Sequence, residues 1–163
     1  LNSELLNQLK KLDFSTIKAL HVFLPILEKN EPDTFPFISW LKETHPQLKI
    51  IVPKTDFQSF EMSNHEFQNK ESLIKSDYNI LEPSGDAVYL GPIDMCILPL
   101  LGFDKIGNRV GYGKGFYDRF LSKYPKMFKV GICFDDPIEL INDAEIHDIR
   151  MDACITPSKT YYF

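Results

Sequence analysis

The chain has 163 residues, of which 44% are hydrophobic and 25% are charged, and its formal net charge is −5. This length allows one domain with a substantial core, and the composition is ordinary for a globular protein. The net charge of −5 argues against nonspecific binding of nucleic acids, which usually needs a basic face. The apolar runs are too short for a membrane span. We therefore expect one domain over residues 1–163 that binds neither nucleic acid nor a membrane.

The three cysteines, Cys96, Cys133 and Cys154, stand far apart in apolar, strand-like segments. A disulfide framework or a zinc site would show closely and regularly spaced cysteines, and this pattern is missing from the sequence. The cysteines therefore indicate buried, reduced thiols, and we expect a cytoplasmic protein.

The first half of the chain predicts two helices, each followed or preceded by an apolar strand. Ser3 is a suitable N-cap for a first helix, which carries a stripe of leucines at helical spacing. Residues 18–24 predict a strand. Thr34 is expected to cap a second helix that ends near Glu43, because a proline follows shortly afterwards. Residues 48–52 are almost continuously apolar and predict a strand that is buried on both faces.

The second half continues the alternation of strands and helices. Residues 57–67 and 73–80 are more polar and predict two antiparallel strands, and residues 115–123 predict a helix. Three further apolar runs predict buried strands: residues 94–98, 128–134 and 153–156. The pattern predicts an α/β fold with three layers (α/β/α) around a mostly parallel sheet that has a small antiparallel excursion. In such sheets, ligands bind beyond the carboxyl ends of the strands.

A glycine-rich loop follows the strand predicted at residues 94–98. Three glycines alternate with a tyrosine and a lysine over residues 111–115, so the backbone can bend sharply and approach another group. Arg109 and Lys114 add cationic groups, and Asp118 follows where a helix should begin. Backbone N–H groups, fixed positive charge and a nearby carboxylate together predict a site for a polyphosphate with Mg²⁺.

This loop differs from both of the common nucleotide-binding loops. A Walker A loop needs a glycine where Asn108 stands and a Ser or Thr where Gly115 stands. A dinucleotide-binding loop needs a small residue at the position of Phe116. Glycine-rich turns also connect strands to helices for steric reasons alone. Taken by itself, the loop therefore leaves a purely structural role open.

The loop and the segments around it together resemble the signature of the 5-formyltetrahydrofolate cyclo-ligase family, also called methenyltetrahydrofolate synthetases. The signature begins at Phe103-Asp104, continues through Gly107 and Arg109, and ends with Gly-Tyr-Gly-Lys-Gly-Phe-Tyr-Asp-Arg-Phe-Leu at 111–121. Other segments resemble the family in the same order along the chain: Leu24-Pro25, Glu31-Pro32-Asp33-Thr34, Ile50-Ile51-Val52-Pro53, Leu81-Glu82-Pro83, His147-Asp148 and Asp152-Ala153-Cys154-Ile155-Thr156.

The resemblance implies conversion of 5-formyltetrahydrofolate to 5,10-methenyltetrahydrofolate, with ATP and Mg²⁺, through phosphorylation of the formyl oxygen and release of ADP and phosphate. Such a reaction depends on alignment and charge stabilisation rather than on a protein nucleophile. The implied partners are ATP and a reduced folate, and we expect a monomer.

Two alternatives remain open at this stage. One is a non-catalytic homologue that binds folate or a nucleotide, because the basic helix that the family usually carries before the position of Leu1 has no match in this sequence. The other is a sugar-phosphate isomerase or transferase on a related α/β sheet, in which the same loop would hold one phosphate.

The resemblance also implies roles for individual residues. The expected catalytic residues are Arg109 and Lys114, which neutralise the phosphates. The expected ATP-binding residues are Arg109, Gly111, Tyr112, Gly113, Lys114, Gly115, Phe116 and Tyr117. The expected folate-binding residues are Leu24, Glu31, Tyr112 and Phe116. Asp118 and Asp148 are the expected Mg²⁺ ligands.

Overall fold

The computed structural model describes residues 2–163, which form three α-helices and eleven strands. In chain order these elements are α1 (Asn2–Leu9), β1 (Ala19–Val22), α2 (Phe35–Thr44), β2 (Lys49–Asp56), β3 (Glu61–Glu66), β4 (Leu73–Lys75), β5 (Leu81–Pro83), β6 (Met95–Pro99), β7 (Gly102–Phe103), β8 (Arg109–Val110), α3 (Phe116–Ser122), β9 (Phe128–Ile132), β10 (Ala153–Ile155) and β11 (Thr160–Tyr162). Short 3₁₀ turns occupy Leu27–Lys29 and Lys70–Ser72.

Seven strands form the central sheet, in the order β11-β10-β9-β6-β1-β2-β3. The five strands from β10 to β2 are all parallel to one another. The two edge strands, β3 and β11, are antiparallel to the strands that they pair with. The prediction of a mostly parallel sheet with a small antiparallel part is therefore confirmed.

The pleat of the parallel strands divides the core into two faces. In β6, Met95 and Ile97 belong to the cluster that also contains buried residues of α1 and α2, whereas Cys96 and Leu98 belong to the cluster that contains Phe120 of α3. Successive side chains of a strand point to opposite faces, so helices on both sides are needed to cover them. This arrangement confirms the three layers.

Two expected helix caps are wrong in detail. Ser3 lies inside α1 instead of preceding it. Thr34 does precede α2, but its hydroxyl donates to the carbonyl oxygen of Phe23 at 2.7 Å, and the carboxylate of Asp33 accepts the N–H of Phe35 at 3.0 Å instead. Thr34 is 1% exposed, so its hydroxyl needs a buried acceptor, and the strand carbonyl supplies one.

The two antiparallel strands are shorter than expected. The first occupies only β3, because the chain forms a turn before it in which Phe60 has a φ of 59°. The second ends at Lys75 in β4, and the chain then turns back and pairs β5 with β4. The edge strand β11 and the hairpin of β7 and β8 were not expected at all. These elements are too short to show a period-2 pattern in the sequence.

The three cysteines are buried and free, as expected. Within residues 2–163, none of the helices has the length and apolar character that crossing a membrane requires.

Candidate functional site

The first half of the glycine-rich loop, residues 104–110, is held by one buried carboxylate. Asp104 is fully buried, and its carboxylate accepts hydrogen bonds from the N–H groups of Ile106, Asn108 and Ile141 at 2.9–3.1 Å and from the side chain of Asn108 at 2.9 Å. Burial raises the pKa of this carboxyl, but the hydrogen bonds outweigh burial and hold the pKa below its ordinary value. Asp104 therefore fixes the turn that leads into β8.

Arg109 leaves this turn and forms an ion pair with Asp118 of α3. The guanidinium NH2 lies 2.8 Å from Asp118 Oδ1, and the side chain of Arg109 is only 7% exposed. The Nε of Arg109 is buried and has no hydrogen-bond partner among residues 2–163. The ion pair with Asp118 therefore uses one of the five N–H groups of the guanidinium and leaves the buried Nε–H without a partner.

The second half of the loop, residues 111–115, is open to solvent. Gly113 and Gly115 have φ angles of 80° and 71°, a region that glycine occupies without strain. Lys114 is exposed, and its ammonium makes no hydrogen bond or ion pair with residues 2–163. Its carbonyl oxygen accepts a hydrogen bond from Arg119 at 2.8 Å. Lys114 is thus the cation of this loop that is free to meet an anion.

The backbone next to one expected magnesium ligand, Asp148, contacts the other one, Asp118. The N–H of Ile149 donates to Asp118 Oδ1 at 3.1 Å, which places the residue after Asp148 beside Asp118. Asp148 Oδ2 accepts the N–H of Glu145 at 2.8 Å. No group of three or more His, Cys, Asp or Glu side chains within residues 2–163 is arranged to hold a metal. Asp118 and Asp148 therefore do not form an all-protein metal site, and their role as Mg²⁺ ligands stays a prediction.

A cavity of about 200 Å³ lies where three parallel strands end. Its walls come from the segments after β1, β6 and β9, together with Tyr112 from the glycine-rich loop. The lining residues are Lys29, Asn30, Glu31, Pro32, Leu100, Leu101, Tyr112, Cys133, Phe134 and Asp135. This position is the one expected for a ligand site in a parallel α/β sheet. The volume is below the usual 300–1,000 Å³ of small-molecule pockets, so it suits one part of a larger ligand.

Two of the expected folate-binding residues meet at this cavity. Glu31 accepts a hydrogen bond from the N–H of Ile26 at 2.7 Å, and it lines the cavity together with Tyr112. Burial raises the pKa of Glu31 above its ordinary value, and the hydrogen bond from Ile26, the nearby hydroxyl of Tyr112 and the charge of Lys29 counteract the rise only in part. The ammonium of Lys29 also lies 4.9 Å from the centre of the Tyr112 ring. Glu31 and Tyr112 are distant in the sequence, but both bring a polar group to the wall of this cavity.

The other two expected folate-binding residues are elsewhere. Leu24 belongs to the buried core cluster on the side of α1 and α2. Phe116 packs with its ring 5.2 Å from that of Phe57, which is itself stacked on Tyr78 at 3.9 Å. Neither Leu24 nor Phe116 lines the cavity. Their roles in folate binding stay predictions.

Tyr117 joins the glycine-rich loop to the centre of the sheet. Its hydroxyl lies 3.2 Å from Nε2 of His21 in β1, which is next to the central strand β6. Burial raises the pKa of Tyr117 well above its ordinary value; the charges of Cys96 and Glu31 add to the rise, and Arg109 opposes it. The hydroxyl therefore stays protonated and lies within the electrostatic influence of both Glu31 and Arg109.

The comparisons with known proteins show the family and the fold of the chain. A model of the 5-formyltetrahydrofolate cyclo-ligase family matches residues 2–157. The chain belongs to this family. The fold is also similar to the solution structure of a 5,10-methenyltetrahydrofolate synthetase from Aquifex aeolicus, with a TM-score of 0.79, 28% identity, and coverage of 99% of this chain and 80% of that one.

The relatives within the cyclo-ligase family come from distant organisms. The chain is 30% identical to the mitochondrial 5-formyltetrahydrofolate cyclo-ligase of Arabidopsis thaliana, over 89% of this chain and 61% of the plant protein. It is also 30% identical to the 5-formyltetrahydrofolate cyclo-ligase of Mus musculus, over 85% of this chain and 73% of the mouse protein. The chain therefore spans about three fifths of the plant protein and about three quarters of the mouse protein.

Two residues of the site have roles that the sequence analysis did not assign. Asp104 was noted only as part of the family signature, although an Asp in a turn often accepts the backbone N–H two residues on, as it does here from Ile106. His21 was treated as an ordinary strand residue. The one signal that could have singled it out is a polar ring within an otherwise apolar run.

Proposed function

We propose that this member of the cyclo-ligase family converts 5-formyltetrahydrofolate and ATP to 5,10-methenyltetrahydrofolate, ADP and phosphate. The observation that carries the proposal is the meeting of Glu31 and Tyr112 at one cavity. Glu31 lies in the segment after β1, whereas Tyr112 belongs to the glycine-rich loop. A ligand in this cavity would therefore contact the loop that offers Lys114 to a phosphate.

The proposed reaction has two steps, and in each step the formation of one bond is matched by the breaking of another. The formyl oxygen attacks the γ-phosphorus of ATP, and the bond from this phosphorus to ADP breaks. The N10 nitrogen of the folate then attacks the activated formyl carbon, loses its proton, and phosphate leaves with the oxygen. Neither step needs a nucleophile from the protein, so the side chains act by holding the reactants in line and by neutralising negative charge.

The side chains near the loop divide this work by their charge and exposure. Lys114 is exposed and unpaired within residues 2–163, so it is the proposed contact to the γ-phosphate. Arg109 is paired with Asp118 through one N–H of its guanidinium, so the proposed contact to ATP uses the N–H groups that this ion pair leaves free. A guanidinium that is already fixed by a carboxylate needs little reorganisation when the charge of the transition state develops.

Magnesium would bring positive charge to the phosphates and would be held by Asp118 and Asp148. Asp118 uses Oδ1 for Arg109 and Ile149, so the proposal assigns its Oδ2 to the ion. Phosphate oxygens and water would supply the other ligands, as is usual for Mg²⁺.

The proposal is tested by mixing the full-length protein with 5-formyltetrahydrofolate and Mg-ATP and following the absorbance of the methenyl product. We expect product formation that needs both substrates. A folded protein that binds both substrates without forming product is instead a non-catalytic folate- and nucleotide-binding homologue. A folded protein that binds neither substrate contradicts both functions.

A substitution at the cavity tests the assignment of the folate. Glu31→Gln keeps the shape of the side chain but weakens its hydrogen bonds to folate N–H groups, so we expect KM for 5-formyltetrahydrofolate to rise about tenfold. KM for ATP should stay within twofold. Glu43→Gln, at an exposed position of α2, is the matched control and should change neither constant. A rise confined to the ATP constant would contradict the assignment.

A further inference from the structure

His21 is a polar residue in a strongly apolar setting. It is fully buried in β1, and its partners in the adjacent strands are Ile51 and Cys96. Its ring lies 4.6 Å from that of Phe120 in α3. A polar ring at such a place costs free energy unless its nitrogens find partners.

Only one nitrogen of His21 has a partner among residues 2–163. Nε2 lies 3.2 Å from the hydroxyl oxygen of Tyr117, while Nδ1 is buried without a partner. Burial lowers the pKa of His21 to about 3, so the ring is neutral at pH 7 and carries a single proton. A buried N–H without an acceptor is rarer than a buried acceptor that lacks a donor. The proton is therefore assigned to Nε2, which donates it to Tyr117.

This direction of the bond determines where the proton of Tyr117 points. The hydroxyl oxygen accepts from His21, so its own proton turns towards another acceptor. The charged groups that act on this hydroxyl include Glu31 and Arg109. Neither group forms a hydrogen bond with it: within residues 2–163, His21 is the only hydrogen-bond partner of this hydroxyl. The acceptor that remains for its proton is an oxygen of a bound ligand.

We propose that His21 is a positioning residue that orients the Tyr117 hydroxyl, so that this hydroxyl donates its hydrogen bond to an oxygen of the bound ligand. The inference rests on the proposed function for the identity of that ligand, whose oxygen belongs to the formyl group or to the ATP phosphates. His21 itself touches no substrate and acts through Tyr117.

A purely structural role and a positioning role predict opposite results for His21→Leu. Leucine fills the apolar site and removes the unpaired Nδ1, but it also removes the partner of the Tyr117 hydroxyl. These two effects on stability oppose each other, so the variant should still fold. If His21 orients Tyr117, the same variant should lose activity. We expect kcat/KM to fall about fivefold to tenfold, the usual worth of one neutral hydrogen bond.

A double-mutant cycle tests whether the effect passes through the hydroxyl. Tyr117→Phe should also lower kcat/KM about tenfold, and adding His21→Leu to it should change the constant by less than twofold. Whether the loss appears with 5-formyltetrahydrofolate or with ATP as the varied substrate identifies the ligand that carries the oxygen. Two results would overturn the inference. One is a double variant whose loss of kcat/KM equals the product of the two single losses, and the other is a His21→Leu enzyme with full activity.

His65→Leu is the matched control for the cycle. His65 is also buried, but its bonds are to Ser63 and to the carbonyl oxygen of Ala87, both at 2.8 Å. Its loss should lower stability and leave kcat/KM within twofold. A loss of activity as large as that of His21→Leu would mean that any buried histidine of this domain has the same effect, and the positioning role would be abandoned.

The tautomer is measured independently of activity. In the ¹⁵N-histidine NMR spectrum of the full-length protein at pH 7, the resonances missing from His21→Leu identify His21. We expect a protonated Nε2 and an unprotonated Nδ1, and a proton on Nδ1 would overturn the inference. If the wild type binds both ligands without turnover, the same cycle is measured on their dissociation constants. Failure of the proposed reaction and failure of this inference are then separate results.

Discussion

Residues 104–110 and residues 111–115 belong to the same loop, but they are held in different ways. The first segment, here called the anchored half, is tied to the protein by the buried carboxylate of Asp104 and by the ion pair of Arg109 with Asp118. The second segment, the open half, is largely exposed and contains Lys114, whose ammonium has no partner within residues 2–163. The anchored half fixes where the loop begins, so the open half can meet a ligand without losing the register of the loop.

The comparison predicts that stability and activity respond to different halves. Substitutions in the anchored half should lower the free energy of unfolding. Substitutions in the open half should change ligand binding and turnover while leaving unfolding almost unchanged. The predictions below test this division, beginning with the largest effect.

Asp104→Ala should have the largest effect on stability. It removes the acceptor of four hydrogen bonds in a buried place, and each buried donor left without a partner costs about 1–3 kcal/mol. We expect the free energy of unfolding in urea to fall by about 3 kcal/mol or more. Asp143→Ala, at an exposed position, is the control and should stay within about 0.5 kcal/mol of the wild type. Equal effects of the two substitutions would remove the basis for an anchored half.

Lys114→Ala should show the opposite behaviour. One charge-assisted hydrogen bond to a phosphate contributes about 1.5–3 kcal/mol, so kcat/KM with ATP should fall roughly tenfold or more. The unfolding midpoint in urea should not move, because the ammonium has no partner within residues 2–163. Lys123→Ala removes another exposed lysine, one that pairs with Glu61 at 3.4 Å, and should keep its activity. An unchanged rate for Lys114→Ala would contradict the role of the open half.

The sequence was a better guide to the backbone of the open half than to the contacts of the anchored half, for a physical reason. Alternating glycines predict a sharply bent backbone, and the positive φ angles of Gly113 and Gly115 confirm it. The phosphate-binding role of the open half stays a prediction. The anchored half depends on contacts between distant residues. Asp104 accepts from Ile141, which lies 37 positions away, and no local pattern encodes that contact.

The same distinction applies to the fold and to the rest of the site. The long apolar runs predicted the parallel strands well, because burial on both faces leaves a clear signal. The meeting of Glu31 with Tyr112 could be expected only through the family resemblance, since it requires two loops to converge. The link between His21 and Tyr117 was missed altogether. A histidine within a strand is no more informative than any other polar residue until its neighbours are known.

The anchored half should also respond to pH. Hydrogen bonds hold the folded-state pKa of Asp104 below its ordinary value of 3.8, so its contribution to stability is complete above the unfolded pKa. That contribution is lost as the pH falls through the lower folded-state pKa. The difference in unfolding free energy between the wild type and Asp104→Asn should therefore be constant from pH 7 to about 5 and shrink below about 4. A difference that persists unchanged to pH 2 would mean that charge has no part in anchoring.

Alanine substitutions at two glycines have the smallest expected effect and compare the two halves most directly. Both glycines have a positive φ, and one lies in each half. Gly107 has a φ of 91°, and a Cβ there would lie 2.9 Å from the ring of Phe163 and 3.0 Å from the carbonyl oxygen of Met151. Gly113 has a φ of 80°, and a Cβ there would meet no atom within 4 Å. Both alanine variants carry the strain of a left-handed residue, about 1 kcal/mol, and only Gly107→Ala adds a steric clash with backbone.

We therefore expect Gly107→Ala to lose roughly 1 kcal/mol more unfolding free energy than Gly113→Ala. Gly113→Ala should in turn raise KM for ATP more than Gly107→Ala does, because it stiffens and reshapes the segment that approaches the phosphates. Urea unfolding and steady-state kinetics on the same two samples measure both quantities. If the two variants lose equal stability and equal affinity, the loop behaves as one unit, and its division into an anchored half and an open half is wrong.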